Sequence, residues 1–298
     1  MAADAHSGFR LDRPLDLAGT LSPLGTGAWL RLDQNEVWRA TRTPEGTATV
    51  HIRRHGDEVQ VEAWGEGAGW AVAQAPLAWG EADDPTGFEP GHPLIAELQR
   101  THRGLRLPRT QAVFEALVPT VLGQLVTGAE AHASYNGLVA ALGEPAPGPK
   151  RMTVPPSPKV LAGVPYWRFH AFGVERRRAE AIIRAAHSAN RLEEIVTMSR
   201  EDAYRRLLAF PGIGPWTAAK VAGVATGDPD AVPVGDYHLP HTVGYALEGT
   251  PRSSDERMLE LLEPYRGHRA RVIRLISIAG ISAPRFGPRQ PLRDISRS

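Results

Sequence analysis

The spacing of apolar and polar residues divides the chain into two parts of different character. In the first part, three segments have strand-like composition: Glu36–Ala40, Thr47–Arg53 and Glu58–Ala63. Polar and apolar residues alternate in the second segment, and turn-forming residues separate all three, which is typical of antiparallel strands. With a short helix expected near 69–76, we predict an N-terminal α+β domain over residues 1–90 that contains a small antiparallel sheet.

Beyond about residue 90 the apolar spacing becomes that of helices. Apolar residues recur at intervals of three and four between Gln111 and Leu125, which predicts a helix with Thr110 as its N-cap. Pro119 lies inside this segment and is expected to kink the helix, because proline cannot donate a backbone hydrogen bond.

The remainder of the chain has the pattern of helices joined by loops. The segment Glu144–Pro158 is rich in proline and glycine, which predicts a loop. Further helices are expected at seven segments: 159–164, 175–189, 200–209, 215–226, 237–247, 254–263 and 267–280. We therefore predict a mostly α-helical domain over residues 91–284, followed by a loose polar tail at 285–298.

Composition narrows the class of protein. The chain has 298 residues, 42% of them hydrophobic and 22% charged, as expected of a folded globular protein. It has no apolar run of transmembrane length and no secretory signal pattern, so we expect a cytoplasmic protein. The absence of cysteine excludes disulfides, cysteine-ligated zinc and cysteine-ligated iron–sulfur clusters.

Arginine is concentrated in two stretches. Residues 251–298 hold ten arginines and five acidic residues, and Arg176–Arg178 lie near Arg184 and Arg191 in the sequence. Basic clusters favour a nucleic-acid partner, although the net charge is only +1. Solvated helix faces are the alternative explanation for either cluster.

A turn rich in proline and glycine joins two of the predicted helices. The first helix ends near Phe210, and Gly212, Ile213 and Gly214 then form a tight hairpin. We expect Ile213 to point into the core, while the glycines let the backbone approach another molecule closely. Pro215 suits the first turn of the next helix, whose free N–H groups can bind phosphate. An ordinary corner between two helices is the alternative for such a turn taken alone.

An acidic residue stands at the start of the following helix. Asp236 comes directly after the proline-bearing segment 231–235, where it can serve as an N-cap. A helix N-terminus favours the ionised form of a carboxylate, so capping is compatible with catalysis. His238 and His241 do not have the spacing of zinc ligands, and we expect them at the surface or facing DNA, with no metal site.

Taken together, these motifs resemble a known family. Leu-x-x-Phe-Pro-Gly-Ile-Gly-x-Trp-Thr-Ala at 207–218, followed by Val-Pro-x-x-Asp-Tyr at 232–237, is similar to the helix-hairpin-helix-Gly/Pro-Asp (HhH-GPD) DNA glycosylases. Leu-Gly-Gln-Leu-Val-Thr at 122–127 further resembles the 3-methyladenine DNA glycosylase II (AlkA) branch. The similarity extends over residues 109–280. It implies a helical HhH-GPD core of two lobes, with the α+β region as an accessory domain.

The resemblance also implies an activity. Such a protein would hydrolyse the N-glycosidic bond of damaged, alkylated purines in double-stranded DNA and leave an abasic site. It would act as a monomer in the cytoplasm, at the nucleoid in a prokaryote. A glycosylase for oxidised or deaminated bases, a catalytically silent DNA-binding protein and a purely structural helical module are the alternatives that stay open. No cofactor is implied except a monovalent cation held by carbonyl oxygens of the hairpin.

Roles follow for three residues after the hairpin. Asp236 would stabilise the cationic sugar as the base leaves. Trp216 stands where bifunctional relatives carry a nucleophilic lysine, which implies a monofunctional enzyme without a lyase step. The Trp216 ring would stack on the extruded base, unless it belongs to the core. Lys220 departs from the pattern, because the AlkA branch has an aromatic residue there. A lysine could repel a cationic base, extend towards solvent or approach the sugar as an amine, so the preferred lesion stays open.

Further positions complete the implied site. Tyr265 retains an aromatic residue of the base pocket. Leu125 would wedge into the duplex where the damaged nucleotide leaves, with a core leucine as the alternative. Gln124 would face either the pocket or the opposite strand. Backbone N–H groups of residues 212–214 would bind DNA phosphate.

Overall fold

A computed structural model of the chain describes residues 1–284, and its N-terminal part is built on an antiparallel sheet. The tail predicted at 285–298 lies outside the described residues. The sheet has five strands: β1 (Ala5–Arg10), β2 (Leu30–Leu32), β3 (Glu36–Thr43), β4 (Gly46–His55) and β5 (Glu58–Trp64). Their order across the sheet is β1-β5-β4-β3-β2. The three strands predicted from composition and turn residues are confirmed as β3, β4 and β5, whereas β1 and β2, at the two edges, were not predicted.

The register of the strands explains which face of the sheet is apolar. Ile52 on β4 lies opposite Val37 on β3 and Val61 on β5. Because side chains alternate between the two faces of a strand, these three residues share one face with Val50 and Val59. All five are buried. The sheet therefore offers a continuous apolar surface to the helices.

Helices dominate the rest of the described chain. In chain order they are α1 (Leu17–Leu21), α2 (Ala68–Ala78), α3 (Pro93–Thr101), α4 (Val113–Leu122), α5 (Gly128–Leu142), α6 (Pro158–Ala162), α7 (Arg176–His187), α8 (Ala189–Glu193), α9 (Arg200–Leu208), α10 (Pro215–Ala225), α11 (Leu239–Glu248), α12 (Asp255–Leu262) and α13 (Arg269–Ile278). Short 3-10 turns occur at Ser22–Leu24, Tyr166–Phe172, Glu194–Thr197 and Glu263–Tyr265. Glu144–Pro145 and Thr153–Val154 pair as a small ribbon.

Each helix expected after residue 158 is found within a few residues of its predicted bounds. Within residues 1–284, no helix combines the length and the apolar character needed to cross a membrane.

The start of α4 differs from the prediction. The helix begins at Val113 rather than near Gln111, which has a φ of 53° and cannot be helical. The Glu193 carboxylate, at the end of α8, accepts the amide N–H groups of Val113 at 2.9 Å and of Phe114 at 2.8 Å. Thr110 is therefore not the N-cap, because a side chain from another helix satisfies the free N–H groups of α4.

Two apolar cores organise the described chain. The larger core runs from the sheet into α4 and α7, and includes Val37, Leu117 and Ile182. The smaller core is formed by α3 with α11, α12 and α13, and includes Ile95 and Val243. We call α4–α10 the first lobe, and α3 with α11–α13 the second lobe. The sheet and α2 share their core with the first lobe and pack on it as a layer, whereas Phe88 packs in the smaller core.

Buried charges fix the chain where it passes between the lobes. Asp228 accepts hydrogen bonds from Arg200 at 3.0 Å and from the Tyr204 hydroxyl at 2.8 Å. Asp230, two residues further on, accepts from Arg269 on α13 at 2.6 Å. Both aspartates are buried, so loss of a partner would leave an uncompensated charge inside the protein. The segment that leads to Asp236 therefore follows a fixed path.

Candidate active site

The hairpin between α9 and α10 has the geometry that its sequence requires. Ile213 is buried, which confirms its predicted direction, and Gly212 is exposed. Gly212 has a φ of +94°, and a Cβ atom there would lie 2.8 Å from the Cβ of Ala181 on α7. Glycine is therefore required by both conformation and space. Pro215 is the first residue of α10, so the N–H groups of its first turn lack helical partners and can bind an anion.

Gln124 fastens the loop after α4 to this hairpin. Its Nε2 donates to the carbonyl oxygen of Gly212 and to Oγ1 of Thr217, both at 2.9 Å. The sequence left two directions open for Gln124, and in the structure its amide bridges to the hairpin. Both Nε2 hydrogens are used in this bridge. The two loops are consequently held in one arrangement.

Leu125 projects from the same loop into solvent. Its side chain is 87% exposed, and its φ of +58° lies in the left-handed region. This conformation costs about 1 kcal/mol for a residue that carries a Cβ atom. Before Leu125, the backbone N–H of Gln124 donates to the Val121 carbonyl oxygen at 3.1 Å. After Leu125, Thr127 and Glu130 form a capping box for α5. A large apolar side chain is thus held outside the protein on a constrained backbone, and a core role is excluded.

Arg178 on α7 supports this loop from inside. Its guanidinium donates to the carbonyl oxygens of Leu122 at 2.7 Å and of Gly173 at 3.3 Å. Only 4% of the side chain is exposed, and desolvation lowers the pKa of Arg178 against the opposing effect of Glu175. The arginine cluster at 176–178 is therefore not wholly a surface cluster, because Arg178 binds a carbonyl at the end of α4.

Asp236 is held by three hydrogen bonds at the start of α11. Its Oδ2 accepts from the indole Nε1 of Trp216 at 2.8 Å. Its Oδ1 accepts from the backbone amides of His238 and Leu239, both at 2.9 Å. The helix begins at Leu239, so Asp236 lies two residues before the N-cap position rather than at it. The carboxylate nevertheless binds the free N–H groups of the helix, as a cap would.

The surroundings of Asp236 keep its side chain ionised. Partial burial acts to raise the pKa of this carboxyl, but the hydrogen bond from Trp216 and the two backbone amides outweigh burial. The positive charge of Lys220 acts in the same direction, and the pKa of Asp236 is below its ordinary value. A fixed negative charge is therefore present beside the Trp216 indole at neutral pH.

Lys220 lies one helical turn beyond Trp216 and near enough to Asp236 to act on its charge. Its Nζ is 6.0 Å from the centre of the Trp216 ring. The side chain reaches solvent, yet protein atoms surround it closely enough that desolvation lowers the pKa of Lys220. Asp236 opposes this shift, and Arg274 adds to it. No salt bridge within residues 1–284 involves Lys220, so no ion pair holds its ammonium in one place.

Arg274, another charge close to Lys220, joins α13 to the N-terminal layer. Its guanidinium donates to the carbonyl oxygen of Gly19 at 2.8 Å and to the Ser22 hydroxyl at 3.1 Å. Burial lowers the pKa of Arg274, and Asp16 partly offsets that effect. Two cations, Lys220 and Arg274, and one anion, Asp236, are therefore close enough to influence one another.

The aromatic residues near the motif are placed differently from one another. Tyr265 is buried in the second lobe, with its ring centre 6.2 Å from that of Phe88 and its hydroxyl accepting the amide of His92. Its role in the base pocket stays a prediction. Tyr237, next to Asp236, is 80% exposed and was not singled out as a site residue. Its position directly after Asp236 in the Val-Pro-x-x-Asp-Tyr motif is the sequence feature that could have identified Tyr237 as a site residue.

The hairpin carbonyls offer the donor chemistry that a monovalent cation requires. The carbonyl oxygen of Gly212 accepts from Gln124, and that of Phe210 accepts the amide of Ile213 at 3.0 Å. Each carbonyl oxygen retains a second lone pair, so these residues fit such a cation, which would add positive charge near a bound phosphate. Within residues 1–284, no three His, Asp or Glu side chains are grouped as metal ligands.

Hairpin, exposed leucine and helix-bound carboxylate are arranged as the resemblance to the HhH-GPD glycosylases implies, and a structural comparison shows the same fold. The 3-methyladenine DNA glycosylase from Archaeoglobus fulgidus superposes with a TM-score of 0.78 at 21% sequence identity. The superposition covers 91% of this chain and 97% of that chain. The chain therefore has the HhH-GPD glycosylase fold, with the N-terminal layer included.

Within this class the sequence is similar to 3-methyladenine DNA glycosylases of the AlkA type. It is 28% identical over 180 residues to DNA-3-methyladenine glycosylase of Bacillus subtilis (strain 168) and 38% identical over 129 residues to DNA-3-methyladenine glycosylase 2 of Escherichia coli (strain K12). These matches cover 58% and 42% of this chain, and 59% and 45% of the relatives. The chain thus spans about half the length of the curated relatives it matches. No family model matches the chain. The resemblance read from the motifs is confirmed.

Proposed function

We propose that the protein is a monofunctional DNA glycosylase that hydrolyses the N-glycosidic bond of damaged purines, alkylated purines among them, in double-stranded DNA. The observation that carries this proposal is the ionised carboxylate of Asp236, fixed between the Trp216 indole and the start of α11. The names of the relatives support alkylated bases as substrates.

The chemistry requires a negative charge close to the sugar. As the bond between C1′ and the base breaks, its electron pair leaves with the base, and the sugar becomes cationic. The Asp236 carboxylate stabilises this developing charge, and water then adds to C1′ and releases a proton. Trp216 has no amine that could attack C1′ from its position, which supports simple hydrolysis to an abasic site.

The surface around the hairpin supports DNA as the partner. An open groove next to Phe210 and Pro211 is lined by more basic than acidic side chains: Arg184, His187, Arg191, Arg205 and Arg206, with Asp202. Three of these arginines, Arg184, Arg205 and Arg206, also pair with acidic residues of the protein. Such side chains can contact the phosphate backbone on one side of the hairpin amides, while Leu125 fills the gap left by an extruded nucleotide. DNA affinity should therefore fall steeply as salt is raised.

The test is base release from methylated duplex DNA by the wild type and by Asp236→Asn. Loss of the carboxylate charge should lower the single-turnover rate by about 10²–10³-fold, the range seen when one group that stabilises transition-state charge is removed. Asp57→Asn, at an exposed turn of the sheet, is the matched control and should leave the rate unchanged.

Other outcomes would redirect the proposal. Equal release by wild type and Asp236→Asn would remove Asp236 from its role. Salt-sensitive binding without release of any base would instead favour a silent DNA-binding protein. We also propose that the protein acts as a monomer at the nucleoid, since one chain supplies hairpin, wedge and carboxylate. Light scattering of the free protein and of its DNA complex tests the monomer.

A further inference from the structure

Lysine is rare in this chain, and one lysine lies near Asp236. Of the 34 lysines and arginines, only Lys150, Lys159 and Lys220 are lysines. An arginine stays protonated in any protein environment, whereas a lysine can give up its proton when it is desolvated. The position beside Asp236 therefore carries one of the three lysines, which, unlike the arginines, can give up a proton.

Lys220 and Asp236 both lie close to the Trp216 indole, on which an extruded base would stack. The Trp216 indole lies between two opposite charges, because its N–H binds Asp236 at 2.8 Å and the Lys220 Nζ is 6.0 Å from its ring centre. A base resting against Trp216 would have Asp236 on the side of its sugar and the flexible Lys220 side chain within reach of its ring nitrogens or carbonyl. Without an ion pair, the ammonium is free to turn towards that base.

We propose that Lys220 is the proton donor to the departing base when that base is an uncharged purine. This role rests on the glycosylase function proposed above. Lys220 would be a catalytic residue, since it would touch the substrate base directly.

Alkylated and uncharged purines differ in whether their release from the sugar requires an added proton. A base alkylated on a ring nitrogen is cationic, and it leaves as a neutral molecule without any added proton. An uncharged purine would leave as an anion. In the proposed step the C1′–N9 bond breaks with its electron pair passing to the base, while one proton passes from Nζ to a base nitrogen or carbonyl. Water adds to C1′ and loses a proton to solvent, and Lys220 regains a proton from solvent.

The electrostatic surroundings suit this proton transfer. The charged groups that face Lys220 are Asp236 and Arg274. On the helices packed against α10, Glu115 of α4 is bound to Arg39 and Tyr204 of α9 to Asp228, so these groups are engaged elsewhere. The side chain of Lys220 reaches solvent, but desolvation by the protein atoms around it lowers its pKa, and a donor with a pKa closer to the working pH transfers its proton more readily.

The test compares two duplexes, one with a single hypoxanthine and one with a single 7-methylguanine. Single-turnover release is measured for the wild type, Lys220→Met and Lys220→Arg, with Lys159→Met as the matched control. Lys220→Met should slow hypoxanthine release by about 10²–10⁴-fold, the usual contribution of a general acid. Release of 7-methylguanine should be unchanged or faster, because a repulsive charge has been removed. The wild-type rate on hypoxanthine should fall as pH rises through the Lys220 pKa, and this alkaline fall should disappear in Lys220→Arg.

Three results would overturn the role of Lys220. Equal slowing on both duplexes by Lys220→Met would show a structural effect, and thermal melting of each variant identifies misfolding. Release of 7-methylguanine but not hypoxanthine by the wild type would refute this inference while leaving the glycosylase function intact. Absence of release from either duplex would refute the glycosylase function and this role with it.

Discussion

Truncation of Leu125 should slow the action of the protein on duplex DNA without lowering the stability of its fold. The side chain is 87% exposed, so Leu125→Ala should change the free energy of unfolding by less than about 0.5 kcal/mol. When the side chain enters the gap left by a flipped nucleotide, it becomes buried. Burial of a leucine contributes about 1.5–3 kcal/mol, of which alanine keeps only a small part. A loss of about 2 kcal/mol corresponds to a rate roughly 30-fold lower.

The assay is single-turnover release of the same lesion from duplex and from single-stranded DNA. Leu125→Ala should be slow only on the duplex, because a single strand has no stacked gap to fill. Val160→Ala on α6, another exposed aliphatic residue, is the control and should match the wild type on both substrates. An unchanged duplex rate, or an equal loss on both substrates, would refute the wedge. A lowered melting temperature would show that Leu125 contributes to the fold.

Three further perturbations test other parts of the site. Gly212→Ala should lower the free energy of unfolding by about 1–3 kcal/mol, since its φ is +94° and a Cβ would meet Ala181 at 2.8 Å; wild-type stability in chemical denaturation would contradict this. Gln124→Ala removes two hydrogen bonds of 2.9 Å, so it should lower the free energy of unfolding by about 1–2 kcal/mol and speed hydrogen exchange of the backbone amides in the hairpin. Unchanged exchange would argue against the bridge. Because the folded-state pKa of Asp236 is lowered, its charge adds stability that is present above about pH 4 and lost as pH falls through the folded pKa. The stability difference between wild type and Asp236→Asn should shrink in that acid range, and a difference that does not vary with pH would show that the pKa is not lowered.

The sequence was most informative where the site is local. Hairpin, Trp216 and Asp236 lie within about thirty residues, and the turn chemistry of glycine and proline dictates their arrangement directly. The direction of Ile213 followed from the same turn. The exposed state of Leu125 did not, because apolar spacing assigns a leucine equally well to the core and only its left-handed backbone excludes that.

Long-range contacts account for what the sequence did not show. Glu193 caps α4 from about eighty residues further along the chain, and local sequence patterns cannot predict such a distant partner. Helix α5 was missed because its small and polar residues form a weak apolar stripe. Arg178 looked like one of three surface arginines, and only the packing of α7 against the end of α4 shows that it is buried. Arg274 reaches the N-terminal layer for the same kind of reason.

The core shared by the sheet and the first lobe bears on any attempt to shorten this protein. A fragment that starts near residue 90 would expose the helical residues that now pack against Val37 and its neighbours, and Arg274 would lose the acceptor that Gly19 provides. Such a truncated product is expected to aggregate rather than serve as a minimal enzyme, since a large bare apolar surface favours association. The sheet and the first lobe should melt in a single cooperative transition, as one folding unit rather than as detachable modules.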